Sequence, residues 1–482
     1  MPNVLVIVSD HLSTRAVGAY GESSWADTPH IDRIAVRGVV FENMYTSCPL
    51  CAPARASFWT GRFPHDTGVL ANGTKVEGPD IVPNRSVPEN MPTIGESFKQ
   101  AGYQTIHFGK CHDSGGLRGF DIVADGQRKS AQVPVGYPEN SDTWKDNWAM
   151  DRFAEWAKGG FSDPFCCVVD LQNPHNICSW VGEHSSLDGP VGHPERTVDL
   201  PDLPANNSVP NWEDLPLPIR YMCCSHLRTG QTSHYSEEDW CYYIDAFRHY
   251  SKMADDHVGT ILGLLEEGGV LDDTLVILMA DHGDGMGSHQ TATKQVSFYE
   301  ETMRVPFVAA GPGVQKGGQR IETLTSLLDL FPGLCEYAGI DVPEGLSGRS
   351  FAPLLTGEGM EREFVAAEWY SEWGYTISPG RMIRSSGFKY TSYLEGSGGA
   401  ADPTGGEELY DLTQDRGEMV NLAIDPAYHE VLLEHRSMLK RHIREQQDPF
   451  YSHKVVVDKK WRAHASGYEH HSGPPAPMAA KE

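Results

Sequence analysis

The sequence predicts an α/β fold: a large, mixed but mostly parallel sheet sandwiched by helices, followed by a smaller C-terminal α+β region with an antiparallel sheet. Two observations predict the large sheet, namely apolar runs of strand length and the helical stretches that alternate with them. The third is a change near residue 361, after which short strand-like runs precede one helix. We therefore expect a large domain over residues 1–360, a small domain over 361–449, and a tail over 450–482 that is mobile or used in oligomer contacts.

The predicted strands of the large sheet are continuous apolar runs, as expected of strands buried on both faces. They are Val4–Ser9, Val39–Tyr45, Thr105–Gly109, Phe165–Leu171, Thr274–Ala280 and Val305–Ala309. The clearest helix, Glu238–Glu267, repeats apolar side chains at about 3.6 residues, so one face is expected to pack on the sheet. That face holds Tyr243, Phe247, Tyr250, Ala254, Ile261 and Leu265.

The small domain is predicted from three short strands and a helix. They are Phe364–Trp369, Arg381–Arg384, Lys389–Tyr393 and Tyr428–Arg444. Two segments rich in Pro, Gly and Asn, Ala71–Pro92 and Ser179–Pro218, lack periodicity and are predicted as long loops that shape a binding site. Four tryptophans either stack on sugar rings or fill the core, and the sequence leaves both readings open: Trp144, Trp148, Trp180 and Trp212.

Charge and cysteine usage exclude several classes of protein. The net charge of −27, from 39 basic and 66 acidic side chains, argues against nucleic acid or an anionic membrane as partner, because both need basic faces. No apolar run has the length of a membrane span or the pattern of a signal peptide. The ten cysteines include two adjacent pairs and do not resemble a disulfide framework, which predicts a cytoplasmic protein unless a leader has been removed.

The pentapeptide Cys51-Ala52-Pro53-Ala54-Arg55 is the most informative motif. It follows a predicted strand and opens a short helical stretch that Gly61 ends. A residue at a helix N-terminus faces unpaired N–H groups, which suit an anion. Two other interpretations remain open from the motif alone: a redox pair of Cys48 with Cys51, and an ordinary buried thiol.

Two predicted strands each end in an acid. Asp10 follows the first strand, and Asp281 with His282 follows the strand over Thr274–Ala280. Acids at the carboxyl ends of neighbouring strands lie where open α/β sheets place their sites, and their oxygens suit a hard divalent cation. The alternative for each acid is that it only caps a turn or helix.

These motifs together resemble the type I sulfatases of the alkaline phosphatase superfamily, in which a maturation enzyme oxidises the cysteine of Cys-x-Pro-x-Arg to formylglycine. Gly109-Lys110-Cys111-His112 resembles the family's Gly-Lys-x-His element, and Pro174-His175 its Pro-His element. The segment around Lys294 resembles the one that bears a second substrate lysine, and 407–423 resembles the C-terminal segment of the family. The resemblance implies an alkaline-phosphatase-like fold.

The resemblance also implies a division of roles. Cys51 would become a formylglycine hydrate, whose one hydroxyl attacks sulfur and whose second hydroxyl then permits elimination of sulfate. Asp10, Asp281 and His282 would hold Ca²⁺, with Mg²⁺ or Mn²⁺ as alternatives. His11 stands where the family often has a second acid and is a possible further ligand.

The remaining predicted site residues are basic. Lys110 and Lys294 would neutralise the sulfate oxygens, and Arg55 would hold the hydrated aldehyde. His175 would protonate the leaving oxygen, and His112 would be the base for the second hydroxyl.

The predicted function is hydrolysis of a carbohydrate or small-molecule sulfate ester. The runner-up is a phosphonate monoester or phosphodiester hydrolase of the same superfamily, against which Lys110 and His112 argue. A hypothesis of another class is a catalytically silent protein that binds sulfated glycans. The expected partners are the sulfate substrate and a formylglycine-generating maturation enzyme, with a homo-oligomer possible and no nucleic acid or membrane.

Overall fold

Eight strands form one large sheet in the computed structural model. The structure describes residues 1–73, 81–125, 143–161, 164–185, 199–208, 214–216, 219, 227–294, 297–371, 376–394 and 404–457. The strands of the large sheet are β1 (Asn3–Ser9), β2 (Val39–Phe41), β4 (Gln104–Gly109), β5 (Asp121–Asp125), β6 (Phe165–Leu171), β7 (Thr274–Met279), β8 (Phe307–Ala310) and β9 (Gln319–Ile321). Their order is β5-β4-β6-β1-β7-β8-β2-β9.

Most neighbours in this sheet are parallel. Strand β1 pairs in parallel with β6 and β7, and β4 does so with β5 and β6. Strand β8 is antiparallel to both of its neighbours, β7 and β2. The central strands β1 and β6 are buried over their whole length, which explains why both read as unbroken apolar runs. The predicted mixed, mostly parallel sheet is confirmed.

Three details of the sheet differ from the prediction. The run Val39–Tyr45 divides into β2 and a separate strand β3 (Met44–Tyr45), which pairs with β10 (Thr325–Ser326) outside the large sheet. Strand β8 begins after Pro306, whose nitrogen cannot donate to a strand ladder. The edge strands β5 and β9 were not predicted, because short strands at a sheet edge need no apolar run; Gln319 and Arg320 of β9 are exposed.

Helices surround the large sheet, and one more accompanies the C-terminal sheet. They are α1 (Pro29–Arg37), α2 (Cys51–Thr60), α3 (Pro64–Thr67), α4 (Ile94–Gln100), α5 (Thr143–Lys158), α6 (Ile177–His184), α7 (Leu227–Thr232), α8 (Glu237–Glu267), α9 (Glu300–Met303), α10 (Leu330–Ala338), α11 (Ala352–Thr356) and α12 (His429–Glu445). Short 3₁₀ turns join several of them.

Helix α8 is the longest, and its start is fixed by a capping box. The Ser236 side chain accepts from the Asp239 N–H, and the Asp239 carboxylate accepts from the Ser236 N–H. Of the predicted core face, Tyr250 is only partly buried. The remaining five are buried: Tyr243, Phe247, Ala254, Ile261 and Leu265.

The C-terminal sheet is antiparallel, as predicted, and has a fourth strand. Its order is β11-β13-β14-β15, formed by Phe364–Trp369, Gly380–Ser385, Phe388–Tyr393 and Glu407–Asp411. Helix α12 packs on this sheet through Leu432, Leu439 and Ile443. A separate two-stranded sheet is formed by β12 (Thr376–Ile377) and β16 (Val456–Val457). Residues 456–457 of the predicted tail therefore pair with a strand that lies between β11 and β13 in the chain.

The two predicted long loops are only partly described. Residues 74–80 of the first, and 186–198, 209–213 and 217–218 of the second, lie outside the described residues, as do Trp212 and residues 458–482. The second segment was wrongly predicted as loop at its start, because α6 runs to His184. Trp144 and Trp180 are buried, and Trp148 is half-buried. Within the described residues, none of the helices is both long and apolar enough to cross a membrane.

Candidate active site

The candidate site lies at the carboxyl ends of four adjacent strands. Strands β4, β6, β1 and β7 are neighbours and run parallel, so the residues that follow them meet at one edge of the sheet. Lys110 follows β4, Asp10 follows β1, and Asp281 lies two residues beyond β7. Asp170 belongs to β6 itself, one residue before its end.

Helix α2 brings Cys51 to this edge as its first residue. The residue before it, Leu50, is extended and offers no capping side chain. Instead Asn72 caps from a distance, because its Oδ1 accepts from the N–H of Ala52 at 3.0 Å. All ten residues of α2 are buried, so the helix is fixed by packing on every side. Arg55 lies one turn further and faces the same edge.

Arg55 joins three buried aspartates. Its Nε donates to Asp281 Oδ2 (2.8 Å), its Nη1 to Asp170 Oδ2 (2.5 Å) and its Nη2 to Asp10 Oδ2 (3.3 Å). The planar guanidinium has the fork of donors that such an arrangement needs. Burial disfavours the charge of Asp281, but the attraction of Arg55 outweighs it and holds the pKa of this carboxyl well below its usual range. Arg55 thus bonds three carboxylates beside Cys51. Its predicted role in holding the hydrated aldehyde stays a prediction.

The thiol of Cys51 has contacts with three polar side chains. Its Sγ is 3.0 Å from Lys294 Nζ, 3.1 Å from His282 Nε2 and 3.9 Å from Asp10 Oδ1. Burial is the main cause that raises the pKa of the thiol to about 11, and Lys294 only partly opposes it. The unmodified thiol is thus protonated at neutral pH, so the cysteine as such is a weak nucleophile.

His282 has a defined tautomer. Its Nδ1 lies 2.9 Å from the carbonyl oxygen of Gly283, which can only accept, so the proton is on Nδ1 and the lone pair of Nε2 faces Cys51. Burial lowers the pKa of His282 to about 4. Asp10, Cys51, Asp281 and His282 each offer one atom, and these atoms lie within 4.8 Å of one another. Two carboxylates and a neutral imidazole fit a divalent cation there.

His175 sits on a loop that a buried carboxylate holds in place. Asp146 of α5 accepts from the N–H groups of Gln172 (2.5 Å) and Asn173 (3.0 Å), immediately before the cis peptide between Asn173 and Pro174. The side-chain amide of Gln172 is 2.8 Å from His175 Nδ1. The other ring nitrogen, Nε2, is 3.0 Å from Lys294 Nζ, so His175 and Lys294 face the same space.

Lys110, which is buried, and His112, which is half-buried, also lie near the charged groups of the site, and both have a lowered pKa. The Lys110 ammonium contacts Asp10 Oδ2, and burial lowers the pKa of the lysine to about 8. Burial, followed by the nearby cations Lys110 and Arg55, lowers the pKa of His112 to about 3. A neutral imidazole is the form that the predicted role of His112 as a base requires.

His11 lies beside the predicted metal ligands but outside the group of ligand atoms around Cys51. Its φ of 77° is left-handed, a strained conformation for a residue with a side chain. Its ring lies 4.6 Å from the ring of His282 and 5.5 Å from that of His175. Its Nε2 is 3.3 Å from Asp284 Oδ2, and His11 is not among the four residues whose ligand atoms lie within 4.8 Å around Cys51.

The thiols of Cys48 and Cys51 are both free. Burial raises the pKa of Cys48 far above its usual range, as it does for Cys51. A redox pair needs at least one thiol of lowered pKa and some exposure. The environment of both residues therefore opposes the redox interpretation.

Four polar residues of the site were not assigned a role from the sequence. They are Asn72, Asp146, Asp170 and Asp284. Asp170 carried a usable signal, since it ends an apolar run like Asp10 and Asp281. The other three act through backbone groups or partners far away in sequence, which no local pattern reveals.

Comparison with known proteins identifies the family. Residues 2–340 match the family model described as Sulfatase, and residues 287–447 match that of the C-terminal region of N-sulphoglucosamine sulphohydrolase. A Delta 4,5-hexuronate-2-O-sulfatase of Bacteroides thetaiotaomicron is 42% identical over 484 residues, covering 98% of this chain and 95% of the relative.

Solved structures agree. A 2-O GAG sulfatase matches with a TM-score of 0.84 at 43% identity, covering 98% of this chain and 99% of that one. The phosphonate monoester hydrolase of Agrobacterium radiobacter matches with a TM-score of 0.73 at 21% identity, covering 95% and 100%, which shows a shared fold alone. The predicted alkaline-phosphatase-like fold is confirmed. Since the family match covers most of the chain and a sulfatase relative aligns along nearly its whole length, the chain belongs to the sulfatase family and is a sulfate ester hydrolase.

Proposed function

We propose that this chain hydrolyses the 2-O-sulfate ester of a hexuronate in a carbohydrate, with position 51 matured to formylglycine and Ca²⁺ held beside it. The observation that carries the proposal is the environment of Cys51 Sγ, 3.0 Å from Lys294 Nζ and 3.1 Å from His282 Nε2 at the end of a buried helix.

The chemistry assigned to these groups follows from the charge of the substrate. A sulfate ester carries a negative group that repels nucleophiles, so the site must supply cations around it. Lys294 contacts Cys51 and Lys110 contacts Asp10, and both ammonium groups are assigned to neutralise sulfate oxygens. A formylglycine hydrate supplies the oxygen nucleophile, and a divalent cation polarises it when bound.

His175 is assigned the proton for the leaving oxygen. Burial and the nearby Lys294 lower its pKa well below the usual value, so the ring is neutral until an anion arrives. A bound sulfate ester adds negative charge beside the ring, which raises the pKa toward the range that an acid needs. His112, neutral and on the side of Lys110, is assigned the removal of a proton in the second step.

Asp10, Asp281 and His282 are assigned to Ca²⁺. Their buried oxygens and the Nε2 lone pair of His282 lie within 4.8 Å of one another. Arg55 bonds both carboxylates and lowers the pKa of Asp281. Carboxylate oxygen favours a hard cation over a thiophilic one. The assignment predicts that chelation abolishes turnover and that Ca²⁺ restores it better than Mg²⁺ or Mn²⁺.

The substrate class is taken from the relatives. The Bacteroides thetaiotaomicron relative is named for Delta 4,5-hexuronate 2-O-sulfate, and the alignment spans 98% of this chain. This similarity supports an unsaturated hexuronate at the end of a glycan as the substrate.

The test uses protein coexpressed with a formylglycine-generating enzyme. The mass of the peptide that contains residue 51 should show the aldehyde or its hydrate, and Cys51→Ala should be inactive. Rates are compared on a 2-O-sulfated unsaturated uronate disaccharide, a 6-O-sulfated glucosamine and an aryl phosphodiester. We expect the first to exceed the other two by about 100-fold or more in kcat/KM. A matured protein that prefers the phosphodiester would support the phosphonate or phosphodiester hydrolase instead.

A further inference from the structure

A second group of ligand-type side chains lies beside the proposed site. His11, His175 and Cys178 each offer one atom, and the three atoms lie within 4.8 Å of one another. They come from two segments: His11 follows β1, while His175 and Cys178 flank the start of α6. The Cys178 N–H bonds the His175 carbonyl at 3.0 Å, so these two side chains share one turn of backbone.

The donor set is that of a soft metal. Two imidazoles and a thiol suit Zn²⁺ or Cu, whereas carboxylate oxygens suit Ca²⁺ or Mg²⁺. We propose that His11, His175 and Cys178 form a Zn²⁺ site that blocks the sulfatase when it is filled. The fourth position of a tetrahedral Zn²⁺ would take water. Binding deprotonates the thiol and releases that proton to solvent.

The orientation of His11 is the first argument for this site. Metal-binding histidines usually direct the other ring nitrogen at a carboxylate. His11 Nε2 lies 3.3 Å from Asp284 Oδ2, and Asp284 Oδ1 is in turn held by the Tyr243 hydroxyl (2.8 Å) and the Met286 N–H (2.7 Å). This leaves Nδ1 for a metal. In the part of the chain that the structure describes, both ring nitrogens of His11 and Asp284 Oδ2 are buried without a hydrogen-bond partner, so the ring has an unused lone pair for a metal.

The surroundings of His175 are the second argument. Its Nδ1 is 2.8 Å from the nitrogen of the Gln172 side-chain amide. When this amide turns so that its oxygen accepts from the His175 Nδ1–H, the imidazole Nε2 keeps the lone pair that faces a metal. That nitrogen is also 3.0 Å from Lys294 Nζ, so a metal ion and the ammonium compete for one lone pair. Zn²⁺ bound to His175 Nε2 therefore displaces Lys294 from this nitrogen. It also prevents His175 from protonating the leaving oxygen. The block of turnover rests on the proposed function; the metal site itself does not.

The three ligand atoms must move closer together to bind Zn²⁺. Tetrahedral Zn²⁺ with bonds of about 2.0–2.3 Å needs ligand atoms about 3.3–3.6 Å apart. Cys178 is half-buried near the start of α6, and its side chain rotates about a single torsion to shorten the separations. Partial exposure of His175 and Cys178 gives the ion a route from solvent.

The first experiment measures binding without turnover. Co²⁺ replaces Zn²⁺ as an optical probe, because a cobalt–thiolate bond gives a charge-transfer absorption band. The protein carries Cys51→Ala, which removes the thiol of the carboxylate site, and excess Ca²⁺ fills that site. We expect the thiolate band in Cys51→Ala and its loss in Cys51→Ala/Cys178→Ser. Cys51→Ala/Cys241→Ser, which removes a half-buried thiol of α8, should keep it. A missing band, or one that survives Cys178→Ser, overturns the site.

The second experiment measures inhibition of matured enzyme in excess Ca²⁺, with each variant normalised to its own rate without Zn²⁺. Half-inhibition should need at least about tenfold more Zn²⁺ in Cys178→Ser than in wild type, because one of three protein ligands is gone. Zn²⁺ should inhibit Cys241→Ser at the same concentration as wild type. Equal inhibition of all three proteins would overturn the regulatory part, even where the cobalt band supports the site. Failure of the proposed substrate alone leaves the cobalt result unaffected, so the two hypotheses are separable.

Discussion

At the scale of single residues, the positive charge of Arg55 compensates the negative charges of the buried aspartates in the site. Its guanidinium is completely buried and bonded to Asp10, Asp170 and Asp281. Removing one partner of a buried ion network leaves uncompensated charge, which costs about 3–5 kcal/mol. Arg55→Met should therefore lower the free energy of unfolding by that amount in urea titration. Arg55→Lys keeps the charge without the fork and should lose less. Equal stability of Arg55→Met and wild type would contradict the network.

Lys294 acts on the substrate more than on stability. Its Nζ lies 3.0 Å from a protonated thiol and from a neutral imidazole, so neither contact is an ion pair. Lys294→Met removes the charge at similar volume and should lower kcat/KM by about 10²–10³. The melting temperature should change little. The exposed Lys316→Met is the matched control and should keep full activity. A loss confined to thermal stability would argue against substrate contact.

Some of these residues were predictable from sequence, and the rest were not. Asp10 and Asp281 follow apolar strands, so their position depends on the strand alone. Asp284 also follows β7 in the chain, but its importance comes from contacts with His11 and Tyr243, 273 and 41 residues away. A sequence pattern predicts which side chain follows a strand. It does not predict which residue, distant in sequence, contacts that side chain.

At the scale of elements, the connection from β6 to α6 depends on Asp146. The carboxylate accepts two backbone N–H groups of the loop that carries His175. Asp146→Asn is isosteric but turns one acceptor into a donor that faces an N–H, so the loop must shift. We expect kcat to fall about 10- to 100-fold with a smaller change in KM, as for a misplaced catalytic group. Glu155→Gln, an exposed change on the same helix, should leave kcat unchanged. A parallel rise in KM with constant kcat would contradict a positioning role.

Helix α1 is capped by another helix. Its own N-cap residue, Thr28, makes no side-chain cap, and Asp255 of α8 accepts from the N–H groups of His30 (3.1 Å) and Ile31 (2.8 Å) instead. Asp255→Ala should lower the free energy of unfolding by about 1–2 kcal/mol, the usual cost of a lost cap. Its kcat should equal that of wild type, because α1 carries no site residue. Asp256→Ala, next to it and exposed, should be nearly neutral.

The elements themselves were predicted unevenly, for a physical reason. Buried strands such as β6 and the long helix α8 carry strong periodic or continuous apolar patterns, and their observed bounds differ from the prediction by at most one residue. The break between β2 and β3 escaped prediction because Glu42 and Asn43 interrupt the ladder without any Gly or Pro. Edge strands and the start of α6 escaped because partners elsewhere in the fold stabilise them.

At the scale of the whole molecule, the small sheet is joined to the large domain by buried contacts. Phe63 and Leu328 of the large domain belong to the same apolar cluster as Ile383, Leu409 and Leu439. The apolar contact is accompanied by polar ones near α3. The two sheets therefore share buried apolar contacts, and the predicted domain boundary at residue 361 stays a prediction.

His65 is the polar centre of that junction. Its Nδ1 lies 2.5 Å from Glu368 Oε1 of β11, and its Nε2 lies 3.1 Å from the carbonyl oxygen of Gln446. A carboxylate and a carbonyl both accept, so the ring donates from both nitrogens and is an imidazolium. Burial opposes this charge, but the attraction of Glu368 exceeds it and raises the pKa of His65 to about 9.

This raised pKa makes the junction sensitive to alkali. The unfolded chain has a histidine pKa of about 6.5, so the stabilisation is complete below that pH and is lost as pH rises through about 9. Wild type should lose up to about 3 kcal/mol relative to His65→Gln between pH 6.5 and 9.5 in urea titration. Lys110 titrates in the same window with the opposite sign, because its pKa is lowered, but it is common to both proteins and cancels in the difference. A difference between wild type and His65→Gln that stays constant with pH would mean that His65 is neutral and that the junction depends on packing alone.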